Sequence, residues 1–205
     1  MTSRVVTKDK IELSNQHEMK HELVRTANTL LPSSHLDAIA YSCTSGTLAI
    51  GEQAVMELIQ SARPEVPVTT PFTGAIATLK RLAVERITFL TPYVEEVTAV
   101  MRAAIEEHGF QVVRTVSMDL SLDSEICRVA PATLAEVAAE IDTADSQALF
   151  ISCTTLMTSP VIAGIEASIG KPVVTSNQAL TWHALRLSGC NNSEPRFGRL
   201  MTLDL

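Results

Sequence analysis

The sequence predicts an α/β protein: two pseudo-symmetric, Rossmann-like lobes with parallel sheets, facing each other. Three observations carry this. Short apolar runs alternate with amphipathic helical stretches along nearly the whole chain. The strand candidates are apolar on both faces, as strands of helix-covered parallel sheets are. One phrase also occurs twice: YSCTSGT at 41–47 and ISCTTLMT at 151–158 each place a cysteine, a threonine and small polar residues after an apolar run. Its recurrence favours two similar lobes over one continuous sheet. The first lobe is expected over residues 1–83 plus 172–205, the second over 84–171.

Residues 16–30 read as an amphipathic helix with Met19, Leu23, Thr26 and Leu30 on one stripe, ended by Pro32. A buried strand over 37–41 delivers Cys43 to its C-terminal end, and the next helix is expected to start near Thr47 or Leu48. Residues 66–70 form the second strand candidate, with Pro71 at the first turn of the helix that follows. A strand over 86–90, a turn at Thr91 and Pro92, and a helix over 94–108 closed by Gly109 come next. FQVVRTVSM supplies another strand, Pro131 assists the start of the helix ATLAEVAAEID, and ALFISC brings Cys153 to a strand end. TSPVIAGIEASIG is a helix stopped by Gly170. PVVTS and QALTWHALRLSG, the last strand and helix, are expected to return to the first lobe.

With 205 residues and a formal net charge of -7, the chain can bury a sizeable core and has no basic footprint for nucleic acid or an anionic membrane. One tryptophan and two tyrosines leave no aromatic platform for stacking bases. No apolar run reaches membrane-spanning length and the start lacks a signal-peptide core, so the protein is read as cytoplasmic. There Cys43, Cys127, Cys153 and Cys190 stand mostly as thiols. No CxxC or HExxH phrase suggests a metal, and no GxGxxG or GKS/GKT loop suggests a nucleotide.

Both SCT cysteines fall at strand C-termini, where open α/β sheets gather ligands and helix starts offer amide donors. Such donors can lower a thiol pKa. Thr44, Ser45, Thr154 and Thr155 add hydroxyls that can hold a carboxylate or orient sulfur. If Cys43 and Cys153 meet at opposite faces of one carbon, one thiolate can take a proton while the other thiol gives one. Alternatively, one adds to an activated double bond while the other assists proton transfer or elimination. A lone cysteine at a strand end is more often a small core residue. The repeated context favours function for Cys43 and Cys153, whereas Cys127 and Cys190 read as structural. His183 reads as a packing or hydrogen-bonding residue, His17, His21 and His35 as surface residues, and His108 as part of a helix end.

The segments DAIAYSCTSGTLAIGE, ITFLTPYVEEV and LFISCTTLMTSPVIAGIEASIGKPVVTSNQALTWHALR resemble the maleate cis-trans isomerase and arylmalonate decarboxylase branch of the aspartate/glutamate racemase superfamily. The resemblance spans about Asp37 to Gly189. It implies two lobes with the site between them, no cofactor, a small carboxylate substrate and a homo-oligomer. On the isomerase pattern Cys43 matches the cysteine that adds to the alkene carbon of maleate, giving a succinyl-like thioether that rotates and eliminates to fumarate. Cys153 matches the cysteine that handles the proton, and Tyr93 the tyrosine that hydrogen-bonds substrate oxygens. Decarboxylases of the branch need only the later cysteine, so both together imply the isomerase.

Two departures bear on the substrate. Family members begin with a strand and a serine- and asparagine-bearing loop that holds one carboxylate, and this chain begins about where that unit would end. Asp123 stands about where isomerases have an asparagine. An ionised Asp there repels a dicarboxylate and suits a substrate carrying an amine or amidine. That points to the ectoine-utilisation relatives, and so to a racemase or isomerase of an ectoine-derived amino acid. A third alternative is a non-catalytic homologue that binds a small acid.

Overall fold

Strands that are apolar on both faces need cover on both sides, and the chain provides it twice. The computed structural model describes residues 1–205. An extended N-terminal segment leads into α1 (Leu13–Glu18) and α2 (Lys20–Asn28). Then come β1 (Ile39–Ala40), α3 (Thr44–Ile50), α4 (Glu52–Ala62), β2 (Val68–Thr69) and α5 (Pro71–Arg81). The second half runs through β3 (Arg86–Tyr93), α6 (Glu95–Glu107), β4 (Gln111–Leu120), α7 (Asp123–Ile126) and α8 (Pro131–Ile141). It ends with β5 (Ala148–Ile151), α9 (Ile162–Ile169), β6 (Val173–Thr175), α10 (Ser176–Leu187) and two short 3-10 turns.

β1 and β2 form a two-stranded parallel sheet, with Ile39 opposite Val68. The other four strands form a parallel sheet in the order β4-β3-β5-β6. At its centre Phe89 and Phe150 stack with ring centroids 5.5 Å apart, both fully buried. The smaller sheet has its own apolar cluster, in which Met19 and Leu23 of α2's flank meet Ile39, Val55 and Ile59.

The last strand corrects the expected lobe boundary. β6 does not return to the first sheet but pairs with β5, Phe150 opposite Val174. It is α10 that packs most extensively on the first lobe, against α5 and both short strands. The expected helix over 16–30 is two helices broken at Met19. Gly170 ends α9 as expected, with φ 68°.

Strand-to-helix junctions repeat one device: the last residue of the extended segment caps the helix with its own side chain. Thr70 Oγ1 accepts the Thr73 N–H at 3.0 Å, with Pro71 at the first helical position. Thr175 Oγ1 accepts the Gln178 N–H at 3.2 Å. These caps start α5 and α10 side by side, and Gly74 lets them approach: a Cβ there would lie 2.5 Å from the Ala179 carbonyl oxygen. Gly74→Ala therefore lowers stability by about 1–3 kcal/mol through overpacking, although alanine favours a helix by about 1 kcal/mol. Urea denaturation checks this, and an unchanged or raised midpoint would contradict the close approach.

Candidate active site

Cys43 follows β1 and is the cap of α3. Its Sγ accepts the Gly46 N–H at 3.3 Å, so the helix begins at Thr44, ahead of the expected start near Thr47 or Leu48. The S–H donates to Gln16 Oε1 at 3.2 Å, and the Ser45 hydroxyl donates to the same oxygen at 3.4 Å. A Cβ on Gly46 would lie 2.5 Å from the Tyr41 hydroxyl oxygen and 2.9 Å from the Cys43 sulfur. Glycine at 46 thus leaves room for phenol and thiol to meet above the first turn of α3.

Cys153 follows β5, with 3% of its surface exposed and φ at 104°, a conformation that side chains rarely adopt. Its N–H donates to Ser176 Oγ at 3.0 Å, and its sulfur accepts the Thr155 N–H at 3.4 Å. Tyr93 reaches the same sulfur from the end of β3 and also meets the Ser45 hydroxyl. The predicted turn at Thr91 and Pro92 is strand instead. Pro92 has no N–H to donate, and the ladder shifts register between Thr91 and Tyr93 to accommodate it. The Tyr93 carbonyl is then held by the Ser117 and Thr98 hydroxyls.

Cys43, Ser45, Tyr93, Asp123, Cys153, Thr154 and Thr155 line one cavity of about 610 Å³. It continues past Cys43 along α2 and the open edge of β1, and the N-terminal segment forms another wall with Arg4, Val5 and Lys8. That segment also places Asp123. The Asp9 carbonyl accepts the Asp123 N–H at 2.9 Å, and the Asp9 carboxylate accepts the Ser124 N–H and hydroxyl at 2.8 and 2.7 Å. Asp123 Oδ1 in turn accepts the Thr155 hydroxyl at 2.7 Å.

Thr44 is the predicted site residue that does not face the cavity. It is 1% exposed and donates its hydroxyl to Ser176 Oγ at 3.0 Å, so it links the lobes instead of meeting a ligand. Sequence reasoning missed four residues: Gln16 and Tyr41 beside Cys43, and Ser176 and Asn177 beneath Cys153. Asn177 Nδ2 donates to the carbonyls of Thr154 and Leu156 at 3.0 and 3.1 Å, fixing the loop that carries Cys153. The available signal for this pair was the SN that follows PVVT, polar residues at a strand end like the TS after Cys43. His183 does pack as expected, stacked on Trp182 and bonded to Thr69 Oγ1 at 2.7 Å.

Electrostatics differ from the sequence expectation of lowered thiol pKa values. The amide of Gly46 does lower the Cys43 pKa, as do Ser45 and Tyr41, but burial outweighs them and the Asp123 charge adds to the rise. Burial likewise pushes Cys153 up to about 11, against hydrogen bonds from Tyr93 and Thr155. Tyr93 is pushed well above the usual phenol range by burial and by both sulfurs. Cys153 is therefore a thiol at neutral pH, and a negative charge on either sulfur resists a second one beside it. No group of three or more His, Cys, Asp or Glu side chains is arranged to hold a metal ion. No helix is long and apolar enough to cross a membrane.

Comparisons with known proteins agree with this architecture. The chain is 26% identical over 180 residues to a maleate isomerase of Pseudomonas putida, covering 84% of this chain and 72% of the relative. It is 31% identical over 138 residues to the arylmalonate decarboxylase of Bordetella bronchiseptica, covering 66% of this chain and 58% of the relative. In fold it matches a maleate cis-trans isomerase of Nocardia farcinica, solved as a cysteine-to-serine mutant with a covalently bound succinylcysteine intermediate. That match has a TM-score of 0.88 at 19% identity, over 100% of this chain and 85% of the other. A sequence model of one enzyme family, described as arylmalonate decarboxylase, matches residues 9–201. With that match over nearly its whole length, the chain belongs to the arylmalonate decarboxylase family.

Proposed function

We propose that the protein is a cofactor-independent isomerase that converts maleate to fumarate. The observation that carries this is the convergence of Cys43 and Cys153 on one cavity, each beside a buried tyrosine and a backbone N–H donor. Arg4 and Lys8 in the cavity wall favour entry of an anion. The Nocardia farcinica isomerase with its succinylcysteine supports covalent addition as the type of chemistry.

The Cys43 sulfur, once ionised, forms a C–S bond to one alkene carbon of maleate. The π electrons move towards the far carboxylate, giving an enediolate that a Tyr93 hydroxyl can stabilise. The Cys153 S–H delivers its proton to the neighbouring carbon, leaving a succinyl thioether with a freely rotating C–C bond. After rotation the Cys153 thiolate takes a proton back from that carbon, the C–S bond breaks, and fumarate leaves with Cys43 again a thiolate. A thiol whose pKa is about 11 suits both of Cys153's tasks, since it holds its proton until a carbanion forms and is strongly basic afterwards.

Asp123 favours a second reading. Its carboxylate lines the same cavity and opposes a second anion near Cys43, so an acid that also bears an amine, such as an ectoine-derived amino acid, would suit that end better. There the two thiols would serve as acid and base on opposite faces of an α-carbon.

A proton NMR time course with maleate separates the readings. Fumarate appearing with the parent and not with Cys43→Ser is expected, whereas a folded parent that leaves maleate unchanged would sink the first reading. Cys153→Ser lowers turnover by about 10²- to 10⁴-fold, the usual weight of a positioned acid or base. Tyr93→Phe lowers kcat by about 10²-fold with the unfolding midpoint kept, and an unaltered kcat would remove Tyr93 from the mechanism. Because Cys43 must ionise from a raised pKa while Cys153 keeps its proton, kcat/KM climbs with pH above neutrality and declines again as pH approaches about 11. Initial rates measured across the alkaline range check this, and a profile falling from neutrality upward would contradict it.

A further inference from the structure

Gln16 sits outside the repeated cysteine phrases, on the short helix α1, yet it lines the cavity with only 4% of its surface exposed. Its Oε1 accepts the Cys43 S–H at 3.2 Å and the Ser45 hydroxyl at 3.4 Å, while its Nε2 has no hydrogen-bond partner in the protein. We propose that Gln16 is the positioning residue of Cys43: its amide accepts the S–H of the thiol and, turned over, donates N–H to the thiolate.

Three observations lead there. First, the group whose charge bears on Cys43 is Asp123, an anion. The other titratable groups around the sulfur are Tyr41, Tyr93 and Cys153, neutral or anionic in every state, while the cations of the cavity wall, Arg4 and Lys8, are not among the groups that shift Cys43. A thiolate at Cys43 thus depends on neutral donors: the Gly46 N–H, the Ser45 and Tyr41 hydroxyls, and an amide turned to face it. Second, the terminal torsion of glutamine is broad and roughly two-fold, so the amide can reverse without moving the helix. Reversed, its two N–H groups meet two acceptors, the sulfur and Ser45 Oγ. A hydrogen bond to an anion is about twice as strong as one between neutral groups, so Gln16 favours the thiolate overall. Third, the seat of α1 on α3 does not need Gln16. His17 holds it through a 2.8 Å bond between Nδ1 and the Ala49 carbonyl.

The inference rests on Cys43 as the reacting thiol but not on the identity of the substrate. It is tested by the pH dependence of Cys43 alkylation with iodoacetamide, located by peptide mass spectrometry, in the parent, Gln16→Met and Gln16→Glu. The titration in Gln16→Met moves up by about one pH unit, a tenfold loss of thiolate below it. In Gln16→Glu it moves up further, because an isosteric anion can only accept. A Gln16→Met titration that coincides with the parent, or moves down because Oε1 merely held the thiol, overturns the proposal. Should the methionine variant fail to fold, judged by thermal unfolding and the alkylation rate of exposed Cys127, Gln16→Leu takes its place, since a carboxylate at 16 would raise the titration by its charge alone: a raised titration in Gln16→Leu supports the proposal, and an unmoved or lowered one overturns it. Since alkylation involves no maleate, a failure here is distinct from a failure of the isomerase reading.

Discussion

One oxygen atom joins the two cysteine segments. Ser176 Oγ, at the first residue of α10 and fully buried, accepts the Thr44 hydroxyl from one phrase and the Cys153 N–H from the other, each at 3.0 Å. The Cys153 backbone is held at φ 104°, where an unanchored residue would relax by turning its sulfur elsewhere. The bond from its N–H keeps it there, and Asn177 holds the carbonyls of the next turn. Since α10 also packs on α5 and reaches the small sheet, the helix that pins Cys153 is the one that spans the lobes. The relative position of the two sulfurs is thereby fixed by backbone and buried hydroxyls instead of flexible side chains.

The second constraint is charge. Two thiols and two phenols surround one cavity, burial opposes ionisation of all four, and the Cys43 sulfur also raises the pKa of Tyr41, Tyr93 and Cys153. A charge on one of the four therefore opposes a charge on its neighbours. The two cysteines are not equivalent holders of it. Cys43 has the N-terminal turn of α3, Ser45, Tyr41 and Gln16 around it but faces Asp123, whereas Cys153 is more deeply buried beneath Tyr93 and Thr155. That asymmetry divides labour between a sulfur that bonds to carbon and a sulfur that moves a proton.

Much of this could be read in the sequence, and the failures have physical causes. The alternation of elements was legible because period and caps agree, as at Thr70-Pro71 and Gly170. The start of α3 was misplaced because cysteine is seldom counted as a cap, yet here its sulfur takes the Gly46 N–H. Pro92 reads as a breaker, but β3 passes through it at a register shift. The sheet membership of β6 follows the rule that consecutive parallel strands joined by a helix usually pair, as β5 and β6 do across α9, and the expected lobe boundary goes against that rule. Both SCT cysteines stood out by their repeated phrase and Tyr93 only through the family resemblance, while Thr44 was assigned to the substrate because a hydroxyl beside a cysteine looks the same whether it faces the cavity or a partner helix. Gln16 and Ser176 gain their roles only from tertiary contacts, over 27 and 23 residues of sequence to their cysteines.

The central claim is that Cys43 forms a carbon–sulfur bond that Cys153 helps to resolve. Intact-mass analysis of Cys153→Ser incubated with maleate tests it most directly. The expected product is an adduct heavier by one maleic acid, mapped to the peptide that carries Cys43, because water can slowly protonate the carbanion in place of Cys153 whereas serine is too weak a base to take the proton back. A Cys153→Ser protein that stays unmodified while the parent converts maleate, or an adduct mapped to another cysteine, would contradict it.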